Sequence, residues 1–134
     1  MLIINAASNP YSGPLARLPD EAFETFMRDN VLSSLWLAGM VLPQMAELGG
    51  GAMIIVSSIL GLRANTSSGA YGLSEAADMQ LARSLAVEYG TQNVRVNCIA
   101  PGFVKTEFSR RLWSNDTVGT QVEAGTPLGR LGYG

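Results

Sequence analysis

The chain has no histidine, one cysteine and one lysine (Lys105) among its 134 residues. Without histidine there is no imidazole to act as general base, metal ligand or pH switch near neutrality. A lone Cys98 cannot close an internal disulfide, so a reducing compartment is the default expectation. Charge is also scarce: 15% of residues are charged, the net charge is −2 and no run of like sign occurs. A phosphate backbone wants a basic face, so nucleic acid is not expected as a partner. No apolar run is long enough to span a bilayer. Residues 1–10 lack the basic start and long apolar stretch of a signal peptide. These absences predict a soluble, cytoplasmic chain with no membrane partner. What is present is ordinary for a globular protein: 47% hydrophobic residues, and a length that suits one domain with a modest core.

The apolar pattern alternates strands and helices. Met1–Asn5 is a short apolar run followed by Ala6, Ala7, Ser8, Asn9 and Pro10, a buried strand that ends in a loop. Pro19-Asp20-Glu21 reads as a helix start with acids in the first turn. Phe23, Phe26, Met27, Val31, Leu35, Leu37, Met40, Val41 and Met45 then recur at roughly helical spacing, which predicts a helix over 21–48. Pro43 is a kink site near its end, and Gly49–Gly51 stops it. Ala52–Val56 is continuously apolar, as in a strand covered on both faces. Residues 57–69 read as a loop, and 70–89 as a second long helix with Leu73, Ala77, Leu81 and Leu85 on one stripe and Gly90 as terminator. Val94–Ala100 is a third strand, closed by Pro101-Gly102. Residues 103–134 are mixed, with a short helix expected around Phe108, Leu112 and Trp113. Strand, helix, strand, helix, strand is the order of a parallel sheet with right-handed crossovers. Ligands bind such sheets at the carboxyl ends of the strands, here Ala6–Pro10, Ser57–Gly69 and Pro101–Thr106.

Two residues in those regions suggest chemistry. Tyr71 opens the second long helix, and Ser58 stands thirteen residues upstream at the end of a strand. Positions 71 and 75 share a helix face, roughly 5–6 Å apart at Cβ. A cation at 75 would lower the phenol pKa from about 10 toward the useful range, but position 75 is Glu75. At an effective dielectric of about 20, exchanging +1 for −1 at about 5 Å raises the cost of phenolate by up to about 6 kcal/mol.

Taken together, Ser58, Tyr71 and Pro101-Gly102 resemble the short-chain dehydrogenase/reductase family over nearly the whole chain, and Thr106–Trp113 is most similar to its carbonyl and retinal reductase branch. Ile4-Asn5-Ala6-Ala7 looks like the family's Asn-Asn-Ala-Gly turn, keeping the second asparagine and the alanine. Asn30 falls where the family has a catalytic asparagine. Val56-Ser57-Ser58 matches the strand-end serine, and Tyr71–Ser74 matches Tyr-x-x-Ser, with Glu75 in place of the lysine that should follow. Val94-Arg95-Val96-Asn97 and Pro101-Gly102-x-x-x-Thr106 match the strand and turn that face the nicotinamide.

The resemblance implies a partial doubly wound α/β domain over 1–134, of three parallel strands and two long helices, without the nucleotide-binding half and the last strand. It implies an oxidoreductase interconverting a small-molecule carbonyl and alcohol with NAD(P)H, the choice of NAD or NADP lying outside these residues. The implied catalytic set is Asn30, Ser58, Tyr71 and position 75. The implied cofactor contacts are Asn5, Ala6, Tyr71, Pro101, Gly102, Val104 and Thr106. It further implies a homo-oligomer paired through the helices at 21–48 and 70–89. Glu75 and the lack of a strand–glycine turn–helix for the pyrophosphate support an alternative, a catalytically impaired fragment or a non-catalytic subunit. Each residue also has a plainer reading: Tyr71 as a half-buried aromatic, Ser58 as a loop cap, Asn30 as a solvated helix residue, Thr106 as a cap, Asn5 as structural and Cys98 as core filler.

Overall fold

The computed structural model describes residues 1–134, the side chain of Arg111 apart. Its contacts fall into two compact units, Met1–Ala100 and Pro101–Gly134.

The first unit is built on a three-stranded sheet: β1 (Leu2–Ile4), β2 (Gly51–Val56) and β3 (Val94–Ile99), in the order β1-β2-β3. Both pairings are parallel. Leu2 lies opposite Met53, and Met53 opposite Val96. The expected α/β fold is therefore present, with strand bounds within a residue or two of those read from the sequence. α3 (Gly69–Tyr89) is the second long helix. The first long helix has three parts: α1 (Asp20–Phe26), a π-helical turn over Met27–Leu32, and α2 (Ser33–Glu47). Pro43 sits inside α2 without ending it.

Ile4, Met53, Ile55, Val94 and Val96 point to one side of the sheet and pack with Ala38, Leu42 and Met45 of α2 and Ala82 and Leu85 of α3. Each fully buried residue of this size stabilises the fold by roughly 1.5–3 kcal/mol. The alternate positions Ile3, Arg95, Asn97 and Ile99 are exposed, so the second face of the sheet is open in this unit. A smaller cluster of Phe26, Ala70 and Tyr71 ties α1 to the start of α3.

The buried stripe on the first helix differs from the one its apolar spacing predicts. Phe26, Asn30, Ser34, Ala38, Leu42 and Met45 are buried, whereas Phe23, Leu35, Leu37 and Met40 are exposed. The π turn is the cause, because an extra residue in one turn resets the phase of everything after it. α3 behaves similarly: Leu73 is exposed, while Ser74, Glu75 and Asp78 are buried. The expected role of Gly90 is also corrected. Its φ of −59° is right-handed and it begins a short 3-10 turn, while the left-handed residue that reverses the chain is Asn93, with φ of 61°. Asn93 Nδ2 holds that turn by donating to Gly49 O at 2.8 Å.

The second unit contains α4 (Arg110–Trp113), α5 (Asp116–Ala124) and a parallel pair of two-residue strands, β4 (Val104–Lys105) and β5 (Gly132–Tyr133). The short helix near Trp113 was expected. α5 and the strand pair were not, because strands this short leave no periodic signal.

Candidate active site

The site grows from the carboxyl end of β2. Ser57 and Ser58 leave the strand, and Ile59–Gly61 form one 3-10 turn that Ser58 caps, its Oγ accepting from Leu60 N at 3.1 Å. This turn lies directly on α3. A Cβ on Gly72 would come within 2.7 Å of Leu60 O, and one on Gly61 within 2.9 Å of Ala76 N. Only glycine on both sides allows that approach, which brings Ser58 and Glu75 within hydrogen-bonding reach of the Tyr71 hydroxyl. Ser57 Oγ adds a second tie to α3, donating to Glu75 O at 3.0 Å.

Tyr71, Ser74, Glu75 and Asp78 form an i, i+3, i+4, i+7 stripe, which is one face of a helix. All four are buried, Glu75 to 1% exposure and Asp78 to 4%. They face a second polar stripe, Asn30 and Ser34. Asn30 Nδ2 donates to Ser74 Oγ at 2.9 Å and to Ser8 O at 3.1 Å, while its Oδ1 accepts from Ser8 N at 2.8 Å. Ser74 Oγ donates to Tyr71 O at 2.9 Å, and Ser34 Oγ to Asn30 O at 2.7 Å. Asn30 thus pins the loop after β1 to the helix that carries Tyr71. Glu75 Oε2 and Asp78 Oδ1 are buried without a hydrogen-bond partner. Neither acid takes part in an ion pair among the described residues.

Electrostatics follow from this burial. The Tyr71 phenol is pushed far above its ordinary value, first by burial, then by the Glu75 charge and their hydrogen bond; Ser58 opposes the shift and Asp78 adds to it. Burial also raises Glu75 above the usual carboxylate range, against hydrogen bonds from Ser57 and Tyr71. Asp78 is pushed up to about 7 by burial and then by the Glu75 charge, with Ser34 opposing. Burial raises the Cys98 thiol as well. No cation offsets any of these shifts, as the charge at position 75 implied.

Of the sequence-derived residues, the structure gathers Asn30, Ser58, Tyr71 and Glu75. Asn5 and Ala6 are exposed in the loop after β1. Pro101, Gly102, Val104 and Thr106 belong to the second unit. There Thr106 Oγ1 and Ser109 Oγ lie 3.3 Å apart, and Thr106 O accepts from Trp113 Nε1 at 2.9 Å. Ser57, Ser34 and Asp78 were missed. The polar stripe at 71, 74, 75 and 78 would have revealed Asp78, had polar rather than apolar periodicity been followed. An open groove of about 340 Å³ along α3 and β3, lined by Met79, Ala82, Arg83, Val96 and Cys98, contains none of the site side chains.

Comparison with known proteins agrees with this architecture. A family profile described as enoyl-(acyl carrier protein) reductase matches residues 1–133. A bovine protein, dehydrogenase/reductase SDR family member 4, is 39% identical over 132 residues, covering 98% of this chain and 47% of the relative. Among solved structures, 4-hydroxyisoleucine dehydrogenase complexed with NADH superposes with a TM-score of 0.90 at 29% identity, over 98% of this chain and 55% of that one. ElxO with NADP bound gives 0.89 at 26%, over 98% and 54%. The chain spans about half the length of these relatives. Matched over all but its last residue, and holding serine and tyrosine together at the end of a parallel strand, it belongs to the short-chain dehydrogenase/reductase family of oxidoreductases.

Proposed function

We propose that the protein is an NAD(P)-dependent oxidoreductase that interconverts a small-molecule carbonyl and alcohol. The observation that carries this reading is the meeting of the Ser58 and Tyr71 hydroxyls at the carboxyl end of β2. Ser58 would hydrogen-bond the substrate oxygen, and Tyr71 would exchange a proton with it. Asn30 and Ser74 hold α3 and the loop after β1 in register and keep Tyr71 in place. In relatives the cofactor is NADH or NADP, and when bound it would exchange hydride with the substrate carbon.

The residues fit that group at one end only. Two hydroxyls suit a nicotinamide and substrate, and the Pro101–Thr106 turn is assigned to nicotinamide contact by the family pattern. The phosphate end needs a glycine turn that leads from a strand into a helix. Gly49 and Gly50, with φ of 85° and 141°, lead from a helix into a strand and present no helix N-terminus. We assign the helices at 21–48 and 70–89 to self-association, since Leu35, Trp36, Met40, Leu73 and Val87 expose apolar area there.

Fluorescence titration with NADH and NADPH tests the assignment, followed by carbonyl reduction in wild type and Tyr71→Phe. Saturable binding and loss of reduction in the variant are expected. Equal activity in both proteins would remove Tyr71 from the chemistry.

A further inference from the structure

We propose that Glu75 supplies the proton behind Tyr71, so that the pair delivers protons to a substrate oxygen and works toward carbonyl reduction rather than alcohol oxidation. The directional part rests on the oxidoreductase reading above; the proton-holding part stands on the geometry alone.

Glu75 is buried to 1% exposure, within hydrogen-bonding reach of the Tyr71 hydroxyl, and its Oε2 has no partner. An ionised carboxylate seeks donors, and leaving one of its oxygens dry and unpaired is costly. Asp78, one turn along the same face, has an orphan oxygen as well. Two buried carboxyls this close disfavour joint ionisation. The surrounding elements offer no relief. α3 itself contributes Tyr71, while Arg83 and Glu88 are exposed. β3 contributes Cys98, and Arg95 is exposed there. α1 has exposed Asp20, Glu21 and Glu24, Arg28 is spent on Asp29, and α2 has exposed Glu47. β2 and the turn after it have no ionisable side chain. The burial that raises Glu75 therefore favours its carboxylic acid form near neutrality.

In that form Glu75 is a donor, and the obstacle to catalysis changes sign. During reduction a hydride, with its two electrons, bonds to the carbonyl carbon as the C=O π bond breaks. The oxygen takes the Tyr71 hydroxyl proton, and the Tyr71 oxygen takes the Glu75 proton. Phenolate does not accumulate, the nicotinamide is left oxidised, and the Glu75 carboxylate is reprotonated from solvent. The reverse reaction needs Glu75 ionised beside Tyr71, the arrangement that burial disfavours. Glu75 acts through Tyr71 and touches no substrate atom, so it is a positioning residue.

Infrared spectroscopy on the chain decides the protonation directly, without cofactor. A protonated-carboxyl band at neutral pH should vanish in Glu75→Gln, persist in Asp78→Asn, and bleach as pH rises. With NADH or NADPH, reduction should fall at the pH where that band bleaches. Glu75→Gln should lower reduction by about 10²-fold or more, the usual scale of acid–base catalysis, with partial rescue by Glu75→Asp. A neutral-pH spectrum with no band lost in Glu75→Gln overturns the inference whether or not dinucleotide binds. Failure to bind either dinucleotide, with the Glu75 band intact, overturns the oxidoreductase reading and the directional claim while upholding the proton-holding one.

Discussion

Replacing Asp78 by asparagine should make the protein more stable in alkaline buffer and nearly remove its pH sensitivity. Asp78 is 4% exposed, has one unpartnered oxygen and sits beside Glu75. Its carboxyl rises from an ordinary value of roughly 3.9 to about 7 in the fold. The folded state therefore holds a proton that the unfolded chain has released across that interval. Stability from this group is fully present below about pH 4 and falls by about 1.4 kcal/mol per pH unit until the folded carboxyl ionises. The total loss is about 4 kcal/mol by pH 8, an appreciable part of the roughly 5–15 kcal/mol that holds a domain together. Asparagine keeps the shape and removes the charge. Thermal melts followed by circular dichroism at about pH 5, 6, 7 and 8 are the assay. Wild type should lose roughly 10 °C or more across the series, and Asp78→Asn markedly less. A wild type that grows more stable from pH 5 to 8, or a variant with the same slope, would refute the assignment of a raised buried carboxyl.

Gly72→Ala should cost about 1–3 kcal/mol by overpacking against Leu60 O, measurable by urea denaturation. It should weaken any Ser58-dependent activity more than Gly39→Ala, whose Cβ meets nothing within 4 Å. Trp36→Glu should leave the melting temperature within a few degrees but shift the particle size toward monomer in light scattering, since Trp36 is 52% exposed among other apolar side chains. An unchanged size would remove α2 from the self-association surface.

The strands and their parallel order were legible because Ala52–Val56 and Val94–Ala100 are short apolar runs bounded by glycine and proline. Ser58 and Tyr71 were legible as a pair because their spacing encodes one strand end and one helix start. The buried face of the first helix was not legible. Its π turn shifts the phase between Met27 and Leu32, and nothing in those six residue types announces a wider turn. Apolar periodicity then selected Leu35 and Met40, which are exposed, and passed over Asn30 and Ser34, which are buried. Asp78 escaped for a related reason: a buried acid without a cation contradicts the usual composition of interiors, so sequence patterns assign it to the surface.

The wide turn at Met27–Leu32 makes the first long helix sensitive to length in a way it is not sensitive to composition. Deleting a single residue there would restore regular winding and rotate Ser34, Ala38 and Leu42 by about 100° about the axis, since an α-helix turns once per 3.6 residues. Bulky neighbours would then be driven onto the sheet, and the amide that clamps the loop after β1 would swing away from Ser74. Natural variation in this segment should therefore exchange side chains freely and almost never gain or lose a position.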